Sequence, residues 1–193
     1  MTNPEAFDNI YINNTWGFKS GAGSNPVFAK PWIDLVNYFL LRKDVKTVID
    51  VGCGDWRIGK CLNLEGKDYT GIDISSVILE ETSLNATENI KFIHGDFETL
   101  DIHDADLILI KDVLQHLTNS SIYNIINKIM GKTKYALICD DLDRDNKANN
   151  NADILPGLHR FIDLSQKPFN FNFIQLEYFK GKNISLYIRD EER

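Results

Sequence analysis

Residues Val48–Trp56 read V-I-D-V-G-C-G-D-W, and no other stretch narrows the choice of fold so far. Val48, Ile49 and Val51 are β-branched, so the run suits a strand buried on both faces of a parallel sheet. Gly52 and Gly54 then supply a turn without Cβ atoms, where a ligand can approach the backbone. A pyrophosphate-binding G-x-G-x-x-G loop needs a third glycine at the position held by Arg57. Asp50, at the base of the loop, would repel a diphosphate and suits a ligand with positive charge instead. The same residues also fit a purely structural strand and turn whose glycines serve packing.

The 193 residues are enough for one domain with a substantial core, and 43% hydrophobic with 25% charged residues is ordinary for a globular chain. No apolar run reaches the roughly 20 residues of a membrane span, and the opening M-T-N-P-E-A-F-D lacks the basic and apolar regions of a signal peptide. A cytoplasmic protein is expected. Cys53, Cys61 and Cys139 are scattered and lack C-x-x-C spacing, so neither a disulfide framework nor a zinc site is indicated. A formal net charge of -7, with Lys and Arg dispersed, weighs against nucleic acid as the partner.

Along the chain, residues 1–25 read as a leader loop ending in the Gly/Ser-rich run Trp16–Ser24. Ser24 or Asn25 caps a helix with Pro26 in its first turn, and Phe28, Trp32, Leu35, Val36, Phe39 and Leu40 fall at helical spacing behind it. Trp32 belongs to the core. A short helix over Ile58–Leu64 follows the glycine turn, and a second strand, Tyr69–Ile72, stops at Asp73. Asp73 lies one strand-helix step beyond the loop, where an ionised carboxylate can accept hydrogen bonds from both hydroxyls of a ribose. It equally fits the cap of the helix beginning near Ser75.

A helix from Val77 to about Thr87 leads to a third strand, Ile90–His94, and to Gly95-Asp96-Phe97, an acid and an aromatic suited to an adenine amino group and ring. His94 reads as structural. The fourth strand, Ala105–Ile110, runs into Lys111-Asp112-Val113-Leu114-Gln115-His116-Leu117, placing Asp112 and His116 at the ligand-binding edge of an open sheet. A helix from Ser121 carries Ile122, Ile125, Ile126, Ile129 and Met130 on one face and returns to a fifth strand, Tyr135–Cys139. Residues 143–170 form a long irregular insertion of the kind used as a lid or substrate loop. Two last strands, Phe173–Phe179 and Ile184–Ile188, form a hairpin.

Asp50-Val51-Gly52-Cys53-Gly54 resembles motif I of the class I S-adenosylmethionine (SAM)-dependent methyltransferases, and the order of elements is similar to that family along nearly the whole chain. The combination of the Trp16–Ser24 leader, V-I-D-V-G-C-G-D-W, D-V-L-Q-H-L and G-L-H-R-F-I-D-L resembles a group of small bacterial and large-virus methyltransferase-like proteins, some of which occur beside glycan-modifying genes. The resemblance implies a Rossmann-like, doubly wound α/β fold. Its seven-stranded sheet has the order 3-2-1-4-5-7-6 and is mostly parallel, with an antiparallel C-terminal hairpin. It also implies SAM as cofactor. The cofactor-facing set that it implies is Trp16, Ser20, Gly21, Asp50, Gly52, Cys53, Gly54, Asp55, Trp56, Asp73, Ile74, Asp96, Phe97, Lys111 and Asp112.

Methyl transfer from a sulfonium is an in-line displacement, so the protein must chiefly align the two reactants and exclude water. An alcohol acceptor must also lose a proton. His116 is the first candidate for that role, followed by Asp112, Asp141 and His159, while Arg160 offers a planar fork for an anionic or polyhydroxyl acceptor, with His116 and His159 beside it. Each also fits a cap, a surface ion pair or a lid anchor. The N/D-P-P-Y/F signature of base and glutamine N-methylation is absent after strand four. Asp140, Asp141 and Asn149 or Asn150 resemble a magnesium set only loosely in spacing, and no metal is expected. The reading is O-methylation of a small molecule or saccharide hydroxyl. Its alternatives are a non-catalytic SAM-binding module supporting a partner enzyme, N-methylation of a small molecule or protein, and a nicotinamide-dependent reductase.

Overall fold

A computed structural model describes residues 3–147 and 150–189. In chain order the elements are α1 (Asn3–Ile12), α2 (Lys30–Leu40), β1 (Thr47–Val51), β2 (Asp68–Asp73), α3 (Ser76–Thr82), β3 (Ile90–His94), β4 (Ala105–Lys111), α4 (Asn119–Lys132), β5 (Thr133–Asp141), β6 (Ile174–Phe179) and β7 (Lys182–Ile188). The strands form one seven-stranded sheet in the order β3-β2-β1-β4-β5-β7-β6. Strands β3, β2, β1, β4 and β5 pair in parallel, and β7 runs antiparallel to both β5 and β6. Because β1 is flanked by β2 on one side and β4 on the other, the chain winds outward in both directions from it. The crevice beyond its C-terminal end is where such sheets take ligands.

Alternation along the strands divides the core into two layers. Ile108 and Ile110 of β4 and Ala136 and Ile138 of β5 face a layer completed by Phe7, Ile10 and the Ile122, Ile126 and Ile129 face of α4. Leu107, Leu109, Leu137 and Cys139 face the opposite layer, closed by Trp32, Val36 and Leu40 of α2. Central strands buried on both faces are therefore apolar without alternation, as A-D-L-I-L-I shows. Each such Leu or Ile contributes roughly 1.5–3 kcal/mol of burial. No helix among the described residues is long and apolar enough to cross a membrane.

Several boundaries differ from the sequence reading. The leader is not a loop throughout, since residues 3–12 form α1, which buries Ala6, Phe7 and Ile10. Asp8 fixes that helix in place: its carboxylate accepts from the Ser75 and Ser76 hydroxyls and from the Val77 amide at the start of α3. Helix α2 starts at Lys30 and not after Asn25. The Asn25 side chain does accept from the Val27 amide, but Pro31 has no N–H to give to the Val27 carbonyl, so the first turn cannot propagate and a new helix begins with Pro31 in its first turn. Phe28 is exposed as a result.

The expected helix over 58–64 is a single 3-10 turn, Gly59–Cys61, and the one over 77–87 stops at Thr82, followed by a 3-10 turn at Ser83–Asn85. Among the described residues between β5 and β6 the chain has no α-helix or strand apart from a bridge pairing Asn150 with Phe161 and short turns. Asn149 lies outside the described residues.

Candidate active site

The crevice is built from the ends of β1, β2, β3 and β4. Gly52 (φ 73°) and Gly54 (φ 53°) both adopt the left-handed conformation. At Gly52 a Cβ would lie 2.4 Å from Val113 Cγ2, so the close approach of the turn to the β4 loop requires glycine. The Gly52 and Cys53 amides donate to the Ile72 carbonyl at 2.7 and 3.2 Å, which holds the turn against β2.

Three carboxylates stand at neighbouring strand ends. Asp50 accepts from the Tyr69 hydroxyl at 2.6 Å, and burial pushes its carboxyl up to about 7. Asp73 accepts from the Gly54 and Ser75 amides, each at 2.9 Å, so it does brace the start of α3. Burial nevertheless outweighs those bonds and raises it to about 6. Asp96 accepts from the Glu98 amide at 2.9 Å, and Phe97 beside it is buried.

Three cavities meet here. One, of about 660 Å³, is lined by Gly52, Asp73, Ile74, Asp96, Phe97 and His116, with Phe7 and Tyr11 of α1 forming its cover. A second, of about 580 Å³, is lined by Asp50, Gly52, Cys53, Gly54, Asp55, Ser20 and Lys111. A third, of about 520 Å³, is lined by Ser20, Gly21, Gln115, His116, Asp141 and Lys182. Trp16 and Asp112 border all three.

The strap from Trp16 to Ser24 closes over this junction through contacts that sequence spacing does not reveal. Trp16 packs edge-on against Phe7 and Tyr11, and its ring centroid lies 4.7 Å from that of His116. The Ser20 hydroxyl accepts from the Asp55 amide at 2.9 Å. Arg57, the residue in place of the third glycine, pairs with Asp55 at 2.7 Å and donates to the Phe18 and Gly21 carbonyls. Lys111 donates to the Gly23 carbonyl at 2.8 Å and pairs with Asp112.

At the third cavity, His116 Nδ1 lies 2.9 Å from the Leu158 carbonyl. A carbonyl only accepts, so Nδ1 carries the proton and Nε2 of the neutral ring is an acceptor. Burial holds the imidazole below its ordinary value, against the opposing effect of the Leu158 bond. Lys182 Nζ bridges Asp112 Oδ1 and Asp141 Oδ1, both at 2.6 Å. The other Asp141 oxygen accepts from His159 Nε2 at 2.8 Å and from Gln115 Nε2 at 3.1 Å. Burial pulls Asp141 upward, but the His159 bond and the Lys182 charge prevail and hold it at about 2.

Three sequence candidates border none of these three cavities, His159 among them although its Nε2 reaches Asp141. Trp56 (φ 57°) turns away from the cavities and over Gly59, into the α2-side core against Tyr69 and Phe92. Arg160 is 5% exposed, and its two terminal nitrogens donate to the Leu117 and Ala152 carbonyls and the Asn119 side chain, so it anchors the 150–164 segment and borders none of the three cavities. Conversely, Phe7, Tyr11, Val113, Gln115 and Lys182 border the cavities without having been read from sequence.

A sheet with this strand order and a glycine turn at the end of its first strand, ringed by strand-end acids, defines a class I methyltransferase fold. The sequence model of a family described as methyltransferase domain matches residues 42–175, and the chain belongs to that family. A search of curated protein sequences finds no match.

Among solved structures, the fold is similar to human N-acetylserotonin methyltransferase in complex with SAM, at TM-score 0.73 and 15% identity over 98% of this chain. The chain spans 60% of that enzyme's length. It is also similar to magnesium protoporphyrin IX methyltransferase from Synechocystis with bound S-adenosylhomocysteine, at TM-score 0.67 and 15% identity over 97% of this chain and 98% of the other. TehB from Haemophilus influenzae aligns at TM-score 0.58 and 22% identity over 86% and 67% of the two chains. At these identities the likeness is one of fold.

Proposed function

We propose that the chain transfers the methyl group of S-adenosyl-L-methionine to a hydroxyl of a small molecule or saccharide. The observation that carries this reading is a crevice with carboxylates at three neighbouring strand ends. Asp50 and Asp73, raised by burial to about 7 and 6, border adjoining cavities on the two sides of Gly52, with Asp96 at the next strand end. A cationic nucleoside is favoured beside these carboxylates, and a phosphate-bearing one is repelled by them. Asp50 and the Gly52–Gly54 turn would hold the amino-acid tail, Asp73 the ribose hydroxyls, and Asp96 with Phe97 and Ile74 the adenine. When bound, the cofactor supplies a methyl group activated by its sulfonium.

The remaining work falls to the chain's own residues. His116 lines both the first and the third cavity, and its Nε2 would accept the proton that the acceptor hydroxyl loses. Its lowered value keeps it in the neutral, basic form near pH 7. Trp16, which borders both cavities, and Leu117, which lines the first, would exclude water from the reacting groups. Segment 143–170 acts as the lid that fixes the Leu158 carbonyl and thereby the His116 tautomer. Three free cysteines support a cytoplasmic setting for this chemistry.

Incubation with methyl-labelled SAM and a panel of hydroxyl and amine acceptors tests the reading. Transfer to a hydroxyl, reduced about 100-fold in kcat by His116→Asn with nucleoside binding kept, is the expected result. Binding without transfer to any acceptor would instead favour a non-catalytic module.

A further inference from the structure

Beside His116 stands a second imidazole that the proposed reaction does not use. His159 is half exposed, and its ring centroid lies 5.8 Å from that of His116, with the planes inclined at 57°. Its Nε2 is committed to Asp141. Its Nδ1 has no hydrogen-bond partner among the described residues, and neither does His116 Nε2. Phe161 packs edge-on against His159 at 5.6 Å and fixes the ring from the far side. Each ring therefore keeps one nitrogen without a partner among the described residues and is oriented by a hydrogen bond on the other.

We propose that the acceptor is a vicinal diol, one hydroxyl being methylated at His116 while its neighbour is held by His159. This rests on the reading of the chain as an O-methyltransferase. Hydroxyl oxygens on adjacent carbons lie about 2.8 Å apart and each hydrogen-bonds to a nitrogen at about the same distance, so the pair can bridge two imidazoles whose centroids lie 5.8 Å apart. A hydroxyl both donates and accepts, so it bonds Nδ1 of His159 whichever protonation state the ring adopts.

The surrounding charges argue against an amine in that place. Asp112 is paired with Lys111 and Lys182, and Asp141 with Lys182, so both carboxylates beside His116 already have cationic partners. Lys182 lies outside the 42–175 segment that matches the family, so this neutralisation comes from the C-terminal hairpin of the chain.

Matched acceptor pairs, cis-1,2-cyclohexanediol against cyclohexanol and catechol against phenol, test the proposal with labelled SAM. The wild-type protein is expected to prefer each diol by about 10-fold or more in kcat/KM, with most of the difference in KM. His159→Phe keeps the ring packing and removes both nitrogens, and it should bring the diol-to-monol ratio close to one. His159→Asn, which restores a hydrogen-bonding side chain, should recover part of the preference. Equal use of diol and monol by the wild type, or an unchanged ratio in His159→Phe, would overturn the diol proposal while leaving O-methylation standing. Calorimetric binding of the nucleoside with no transfer to any hydroxyl would overturn both.

Discussion

Asp50 makes the ligand-free protein less stable than it would be with a neutral side chain, and the size of that effect follows from its surroundings. Its carboxyl rises from an ordinary 3.8 to about 7 on folding, chiefly through burial. An acid whose folded value is raised takes up a proton on folding. The penalty is therefore absent below the unfolded value, grows through the interval from about 4 to 7, and is complete above it. At about 1.4 kcal/mol per unit the full difference is about 4 kcal/mol. One edge of the carboxylate opens on the second cavity, and allowing for solvent screening there leaves about 2 kcal/mol.

Asp50→Asn removes the charge and keeps an oxygen for the Tyr69 hydroxyl. Urea unfolding of protein stripped of nucleoside should show the variant about 2–4 kcal/mol more stable at pH 8, the gain shrinking to about 1 kcal/mol at pH 5. Its affinity for SAM should fall, because the lost charge is the one that faces a cation. A variant no more stable than wild type at pH 8, or equally stabilised at both pH values, would refute the reasoning.

Three further outcomes are expected. Gly52→Ala places a Cβ 2.4 Å from Val113 Cγ2 at a φ of 73°, and should cost about 1–3 kcal/mol in urea unfolding while weakening nucleoside binding measured by calorimetry. Lys182→Met leaves Asp112 and Asp141 without their shared partner, and a loss of about 3 kcal/mol at pH 7, easing as the solution is acidified, is expected from the same assay. The kcat/KM profile for a hydroxyl acceptor should rise with pH through an inflection below 6.5 and then level off, since His116 must be neutral to accept a proton and burial lowers its value. Loss of that inflection in His116→Asn would confirm the assignment.

The sheet was legible because its signals are local. Val48, Ile49, Ile108 and Ile110 announce strands buried on both faces, and Gly52 and Gly54 announce the turn that opens the crevice. Positions one strand-helix step apart then located Asp73 and Asp96 without any knowledge of packing. What stayed hidden depends on partners far along the chain. Helix α1 offers only Ala6, Phe7 and Ile10 as a buried stripe and is secured by Asp8 reaching residues 75–77.

Lys182 looks like a turn residue until its two aspartates, 70 and 41 positions earlier, are folded against it. Trp56 sat in the motif, but a positive φ sends its ring to the opposite core layer. Arg160 was chosen for the geometry of its fork. The fold uses that same geometry to tie the Ala152 carbonyl to the Leu117 carbonyl beyond β4.

Calorimetric titration of the purified, ligand-free chain with SAM, in parallel with its Asp73→Asn variant, tests the central claim most directly. One site should be filled in the wild type, and the variant should bind about 10- to 100-fold more weakly, because a charged acceptor for the ribose hydroxyls has become a neutral one. No heat of binding in the wild type, or equal affinity in the two proteins, would contradict the account.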